Sequence, residues 1–249
     1  METASRRESV APSRQRVVTR LLADAMWSVA GSGATPTVLD CGGGSGSAAV
    51  PLARAGAQVT VVDVSPDALA TLRRRAAEAG VDDLVVAMPG DVETLAELVR
   101  PGSFDLALAH EVLEAVDHPD VALGSIAAAV RPGGLLSVLV SNPVAGVLTR
   151  ALAGEVATAL VEMRALTQTS PGGFDLVGLR ALCDQLGLAV EQVHGVGVFT
   201  EIVPGADLDP QRGGPSNAEA LAELEELASS RSPFREIASR IHVLARRPG

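Results

Sequence analysis

Short runs of β-branched and leucine-rich residues alternate along this chain with longer alanine-rich stretches whose apolar positions recur at helical spacing. That alternation predicts a parallel sheet with crossover helices, an α/β fold. The runs Thr37 to Asp40, Gln58 to Asp63, Leu84 to Met88, Phe104 to Ala109 and Leu135 to Val140 are nearly all apolar, as strands covered on both faces must be. Between them, Ser47 to Ala55, Pro66 to Ala79, Val92 to Val99 and Asp120 to Val130 carry helix formers. Ser65 is placed to cap a helix opened by Pro66, and the run Arg131, Pro132, Gly133, Gly134 breaks the chain ahead of the fifth strand.

Two regions stand outside the alternation. Val10 to Val29 reads as a leading helix with Leu21, Leu22, Ala25 and Met26 on one face, and Pro143 to Gly173 reads as alanine-rich helix suited to a lid. Further on, Leu176 to Leu186 predicts a helix, and the runs Ala189 to Val203 and Ile241 to Ala245 are placed to pair antiparallel and finish the sheet. Pro204 to Pro215 reads as a loop. Asn217 to Ala228, with Glu219, Glu223, Glu225 and Glu226, is expected to be a surface helix whose acids are simply solvated.

Length and composition narrow the class. The 249 residues are 47% hydrophobic and 20% charged, enough to bury a full core. A formal charge of −10 argues against coating nucleic acid by bulk attraction. Two cysteines, Cys41 and Cys183, make neither a disulfide framework nor a cysteine-based metal cluster, so no metal is expected and a cytoplasmic setting suits the chain. The polar start METASRRESVAPSRQR does not read as a secretory signal, and no window approaches the roughly 20 apolar residues that a bilayer requires, so no membrane partner is expected.

The chemistry gathers at strand ends. Val38, Leu39, Asp40, Cys41, Gly42, Gly43, Gly44, Ser45, Gly46 places a glycine-rich turn between a buried strand and a helix, where backbone N–H groups meet a polar or anionic ligand without side chains in the way. Asp63 ends the second strand, where a carboxylate can accept hydrogen bonds from a ribose diol. Gly90 and Asp91 follow the third strand, and His110 and Glu111 the fourth. A dinucleotide fingerprint wants glycine at the first, third and sixth positions, but counting from Gly42 the sixth residue is Ser47. Asp40 ahead of the glycines would repel a pyrophosphate yet suit the ammonium of a methionine moiety, which favours S-adenosylmethionine.

Through VLDCGGGSG, VVDVS, GDVETL, FDLALAHEVLEAV and RPGGLLSVLV, in that order, Val38 to Val140 resembles the class I S-adenosylmethionine-dependent methyltransferases. The blocks SNPVAGVLTRALAGE, GLRALCDQLGLAVEQVHGVGVFTEIV and SPFREIASRIHVLARRP are similar to the tRNA 5-carboxymethoxyuridine methyltransferase group, which esterifies a carboxylate on a wobble uridine. The resemblance implies a doubly wound, mostly parallel seven-stranded sheet of Rossmann-like type with a helical lid. It divides one domain into a leading helix over the cofactor site (1–35), a cofactor-binding core (36–142), a lid (143–175) and C-terminal helices and strands (176–249). It implies contacts to S-adenosylmethionine from Arg16, Gly42, Gly43, Asp63, the pair Pro89 and Gly90, and His110. The residues themselves add Gly44, Gly46 and Asp91.

Each assignment has an ordinary alternative. Arg16 either pairs with a methionine carboxylate or is a solvated helix arginine. His110 either orients the donor or acceptor or bonds a backbone carbonyl, Asp91 either reads the adenine edge or caps a helix, and Glu111 and Glu114 receive no role. A carboxylate acceptor is ionised at neutral pH and would need no base, which suits a chain without an obvious acid–base pair and yields no catalytic residue. Arg73, Arg74 and Arg75 read as a solvated face paired with Glu78. Tyrosine is absent and the aromatics are one Trp and four Phe, few platforms for stacked bases. Three readings stand: methyl transfer to tRNA, methyl transfer to a small metabolite, and nucleoside or dinucleotide binding without transfer. A rim carrying Arg150, Arg164, Arg231 and Arg235 would favour RNA.

Overall fold

The computed structural model describes residues 17–31, 33–166, 174–200, 202–203 and 217–249. Arg16, the first part of the leading helix and the loop Pro204 to Pro215 lie outside the described residues. Seven strands form one sheet: β1 (Thr37–Cys41), β2 (Gln58–Asp63), β3 (Val85–Pro89), β4 (Phe104–His110), β5 (Val130–Ser141), β6 (Ala189–Val196) and β7 (Arg240–Arg246), in the order β3-β2-β1-β4-β5-β7-β6. The first five run parallel, with Val38 opposite Val59 on one side and Leu106 on the other. Gly133 N donates to Arg247 O and Arg247 N to Gly134 O at one end of the pair, while Asn142 N donates to Ser239 O at the other, which makes β7 antiparallel to β5.

The strand order reverses between β1 and β4, so right-handed crossovers place helices on both faces of the sheet. These are α1 (17–29), α2 (Ala49–Arg54), α3 (Pro66–Glu78), α4 (Leu95–Leu98) and α5 (Pro119–Ala129). Covered on both sides, the strands bury Val38, Leu39, Val59, Val61, Val62, Leu106, Ala107, Leu108 and Val138 almost completely. Each such valine or leucine contributes about 1.5 to 3 kcal/mol relative to exposure. Helix α3 starts as its sequence dictates: Ala68 N donates to Ser65 Oγ at 3.2 Å, Pro66 sits at the first turn, and Leu69, Leu72 and Ala76 form the buried stripe.

The chain clusters into two compact units, one built on Thr19–Val140, Leu179–Gln192 and Val243–Gly249, the other on Ser141–Gly178 and Val193–His242. The first holds all the glycine-rich and acidic strand ends singled out above. In the second, α6 (Pro143–Leu152) and α7 (Val156–Leu166) pack as a hairpin, and α9 (Asn217–Ser229) follows; α8 (Leu176–Gln185) belongs chiefly to the first. Asn142 fixes the entry to α6, because its Oδ1 accepts from Val144 N at 3.1 Å and its Nδ2 donates to the carbonyls of Glu236 and Ala238, both at 2.8 Å.

The structure departs from sequence expectation in three places. The breaker run Arg131 to Gly134 lies inside β5 instead of ahead of it, because the register shift between Phe104 and Leu106 absorbs the extra residues and Arg131 is tied to Asp105 at 2.7 Å. The segment after Asp91 is a 3-10 turn (Val92–Thr94) followed by a single α turn instead of one helix. The acids of α9 are not all solvated, since Glu225 is buried and accepts the backbone N–H groups of Val198, Phe199 and Thr200 at 2.9, 2.7 and 2.6 Å.

Candidate functional site

A cavity of about 400 Å³ opens at the C-terminal ends of the parallel strands, where the strand order reverses. Gly42, Asp63, Gly90 and Asp91 line it, joined by Val62, Val64, Val92, Glu93, Glu111, Val112, Ala115, Val116 and Asp117. Five of these carry carboxylates and none is basic. A cavity with that lining attracts a cation and repels a pyrophosphate.

The glycine loop is held in shape from several sides. Asp63, at the tip of β2, accepts Gly44 N on Oδ2 at 2.9 Å and Ser65 N on Oδ1 at 2.8 Å, and each oxygen keeps a second lone pair for a ligand. Arg75 donates to Ser45 O and Oγ, each at 3.1 Å, while Arg74 pairs with Glu78 at 2.7 Å and Arg73 donates to Ala87 O. Only Arg74 therefore follows the expected solvated pairing. Gly46 lies at φ 81° with Leu72 where a Cβ would stand, so its role is close packing of the loop on α3. A Cβ on Gly43 would overlap the Asp40 carboxylate.

Asp40 lies directly under the loop. Its side chain is buried, and Oδ2 accepts no hydrogen bond among the described residues. Burial, and secondly the charge of Asp63, push its carboxyl up to about 7. A buried acid with an unsatisfied oxygen beneath a bare backbone turn has the chemistry that a cationic hydrogen-bond donor would satisfy. Neighbouring Cys41 is no nucleophile, because burial pushes its thiol far above neutrality.

The remaining sequence candidates separate. Asp91 caps the 3-10 turn, accepting Glu93 N at 2.9 Å, as one of its two expected readings has it, and also lines the cavity. Gly90 is bare because Leu98 occupies the place of a Cβ. His110 is half-buried, does not line the cavity, and bonds Ser137 Oγ through Nε2 at 2.8 Å; desolvation holds its imidazole down to about 4. Sequence reasoning missed Val64, Val92, Glu93, Val112 and Asp117, although their adjacency to strand ends was a usable signal. For Glu111 the position was noted and no role assigned.

In the second unit, Arg150 is engaged by Glu155 at 2.9 Å and by Glu162 at 2.5 Å, and Arg235 by Glu236 at 2.7 Å. Two of the four arginines named for an RNA rim are thus neutralised locally. Among the described residues, no group of three or more His, Cys, Asp or Glu could hold a metal ion, and no helix is long and apolar enough to cross a membrane.

Comparison with known proteins agrees with this geometry. Residues 39–138 match a family described as a methyltransferase domain. The chain is 28% identical over 214 residues to a tRNA 5-carboxymethoxyuridine methyltransferase of Escherichia coli (strain K12), covering 85% of this chain and 80% of the relative. It is 39% identical over 110 residues to a ubiquinone biosynthesis O-methyltransferase of Xanthomonas euvesicatoria pv. vesicatoria (strain 85-10), covering 43% of this chain and 45% of that one. Among solved structures, geranyl diphosphate C-methyltransferase from Streptomyces coelicolor A3(2) superposes with a TM-score of 0.60 at 16% identity, covering 93% of this chain and 77% of that one. The [4+2]-cyclase SpnF gives 0.59 at 20% identity, covering 94% and 81%. These two likenesses speak to the fold alone.

Proposed function

The chain is a class I S-adenosylmethionine-dependent methyltransferase, and from that premise we propose that it methylates a carboxylate, first that of a modified uridine in tRNA. The observation that carries the choice of acceptor is the reach of the likeness. The relative with a tRNA acceptor in its name aligns through 85% of this chain, whereas the ubiquinone relative aligns through 43%.

S-adenosylmethionine supplies a methyl group on a positively charged sulfur, which leaves as a neutral thioether. The chain's own residues hold and orient that donor. Asp63, with a lone pair left on each oxygen, would hold the ribose hydroxyls, Asp91 would hold the adenine amine, and the apolar Val64 and Val92 would suit the base. Asp40 would hold the methionine ammonium, which would satisfy Oδ2 and stabilise its charged form. Gly42, Gly43 and Gly44 let backbone approach the donor, and Gly46 and Leu72 fix the loop that does so. Arg16 remains a proposed partner for the methionine carboxylate. His110, bonded to Ser137 and held near 4, is neutral at physiological pH.

No base is required of the protein, because a carboxylate arrives ionised. Alignment of acceptor oxygen, methyl carbon and sulfur is the main contribution, worth roughly 7 to 11 kcal/mol at best. A second reading, a free small-molecule acceptor, is favoured by the internal pairing of Arg150 and Arg235 and by the scarcity of aromatics. Labelled S-adenosylmethionine, incubated with the protein and either total tRNA or a metabolite extract, separates the two. Label in tRNA that mild alkali removes supports the first reading. Label confined to small molecules, or alkali-stable label, overturns it.

A further inference from the structure

Glu111 follows β4 directly and, among the described residues, is the non-glycine residue with a positive φ, 57°. A Cβ makes that left-handed conformation unfavourable, and residues held in it gather where function demands an orientation. Its backbone N donates to Leu139 O at 2.8 Å, so β5 fixes the residue where it lines the cavity.

The strand tips give this position a meaning. Asp91 follows β3, Asp63 ends β2, Gly42 follows β1 and Glu111 follows β4, and in the sheet those strands are consecutive neighbours. Three strand spacings separate the first from the last, about 14 Å. A donor with its adenine at Asp91 and its ribose at Asp63 carries its sulfur onward, toward the tips of β1 and β4. Resting on the donor site proposed above, we propose that Glu111 is a specificity residue whose carboxylate faces the sulfonium and favours the charged donor over its demethylated product.

The charge balance explains why such a residue helps turnover. A lone pair of the acceptor oxygen forms the new bond to the methyl carbon, and the carbon–sulfur pair returns to sulfur. Sulfur goes from one positive charge to none, and a carboxylate acceptor becomes a neutral ester. The attraction between Glu111 and the sulfonium is gone once transfer is complete, whereas the contacts to ammonium, ribose and adenine are the same for donor and product. Asp63 and Asp91, assigned to the ribose and the adenine, meet groups common to both nucleosides.

Aspartate and asparagine both tolerate left-handed backbone and differ in charge, so Glu111→Asp and Glu111→Asn isolate electrostatics from conformation. Calorimetric titration of the full chain with S-adenosylmethionine and with S-adenosylhomocysteine, at low and high salt, reads the ratio of the two affinities. The expected result is a ratio lowered about three- to tenfold by Glu111→Asn, largely kept by Glu111→Asp, and eroded in the wild type by salt. Equal weakening of both nucleosides by Glu111→Asn, an unchanged ratio, or Glu111→Asp behaving as Glu111→Asn overturns the inference. Wild-type protein that binds neither nucleoside overturns the donor site itself, a result distinct from a bound donor with an unaltered ratio.

Discussion

Replacing Asp40 by Asn tests the buried acid in two opposed ways. In the unfolded chain this carboxyl titrates near 3.8, whereas in the fold burial and Asp63 raise it to about 7. Holding the charge in the fold therefore costs about 4 kcal/mol relative to water. Between these two pH values the folded state binds more protons than the unfolded one. Stability from this group is fully present below about pH 4 and is lost as pH rises to about 7, at up to about 1.4 kcal/mol per pH unit. Asn removes the titration. Without donor, the variant gains on the wild type as pH rises through that window and reaches a plateau of about 2 to 4 kcal/mol above it, the lower figure allowing for relaxation around the charge. With donor, the order reverses, because Asn cannot pair with an ammonium. Urea unfolding at about pH 5, 6, 7 and 8, with and without S-adenosylmethionine, measures both effects. A stability difference that does not vary with pH, or an unchanged donor affinity, refutes the reasoning.

Asp63→Ala weakens donor affinity by about 1.5 to 3 kcal/mol and also lowers the melting temperature without donor, since Gly44 N and Ser65 N lose their acceptor; calorimetry and thermal denaturation check the pair, and intact affinity removes Asp63 from the site. Gly43→Ala drives a methyl into the Asp40 carboxylate, costing about 1 to 3 kcal/mol in stability and depressing donor binding, readable by denaturant titration. Glu225→Ala leaves three N–H groups of the segment after β6 without their acceptor and destabilises by about 3 kcal/mol or more, while Glu225→Gln recovers part of the loss. Equal stabilities for the Ala, Gln and wild-type chains would contradict that account.

The sheet was legible because a strand covered on both faces has to be largely apolar, and β1, β2 and β4 centre on Val38 and Leu39, on Val59, Val61 and Val62, and on Leu106 to Ala109. The glycine turn and Asp63 were legible for a related reason: their positions at strand ends follow once the strands are placed. Contacts between distant segments left no such trace. Nothing in the periodicity of α9 marks Glu225 for burial, because its partners, Val198 to Thr200, lie far away in sequence. The extension of β5 through Arg131 to Gly134 depends on the pairing of Gly133 and Gly134 with Arg247. Glutamate has no preference for left-handed backbone, so the conformation of Glu111 cannot be read from its identity.

The anchoring of the glycine turn by α3 and β2 reaches beyond the turn itself. Leu72 stops Gly46 from shifting, Arg75 grips Ser45, and Asp63 grips Gly44, all before any nucleoside arrives. The disorder that a floppy receptor would surrender on each encounter is surrendered here once, when the polypeptide folds. Each catalytic cycle then inherits the turn as a ready-made part of the socket, already in the shape that folding gave it.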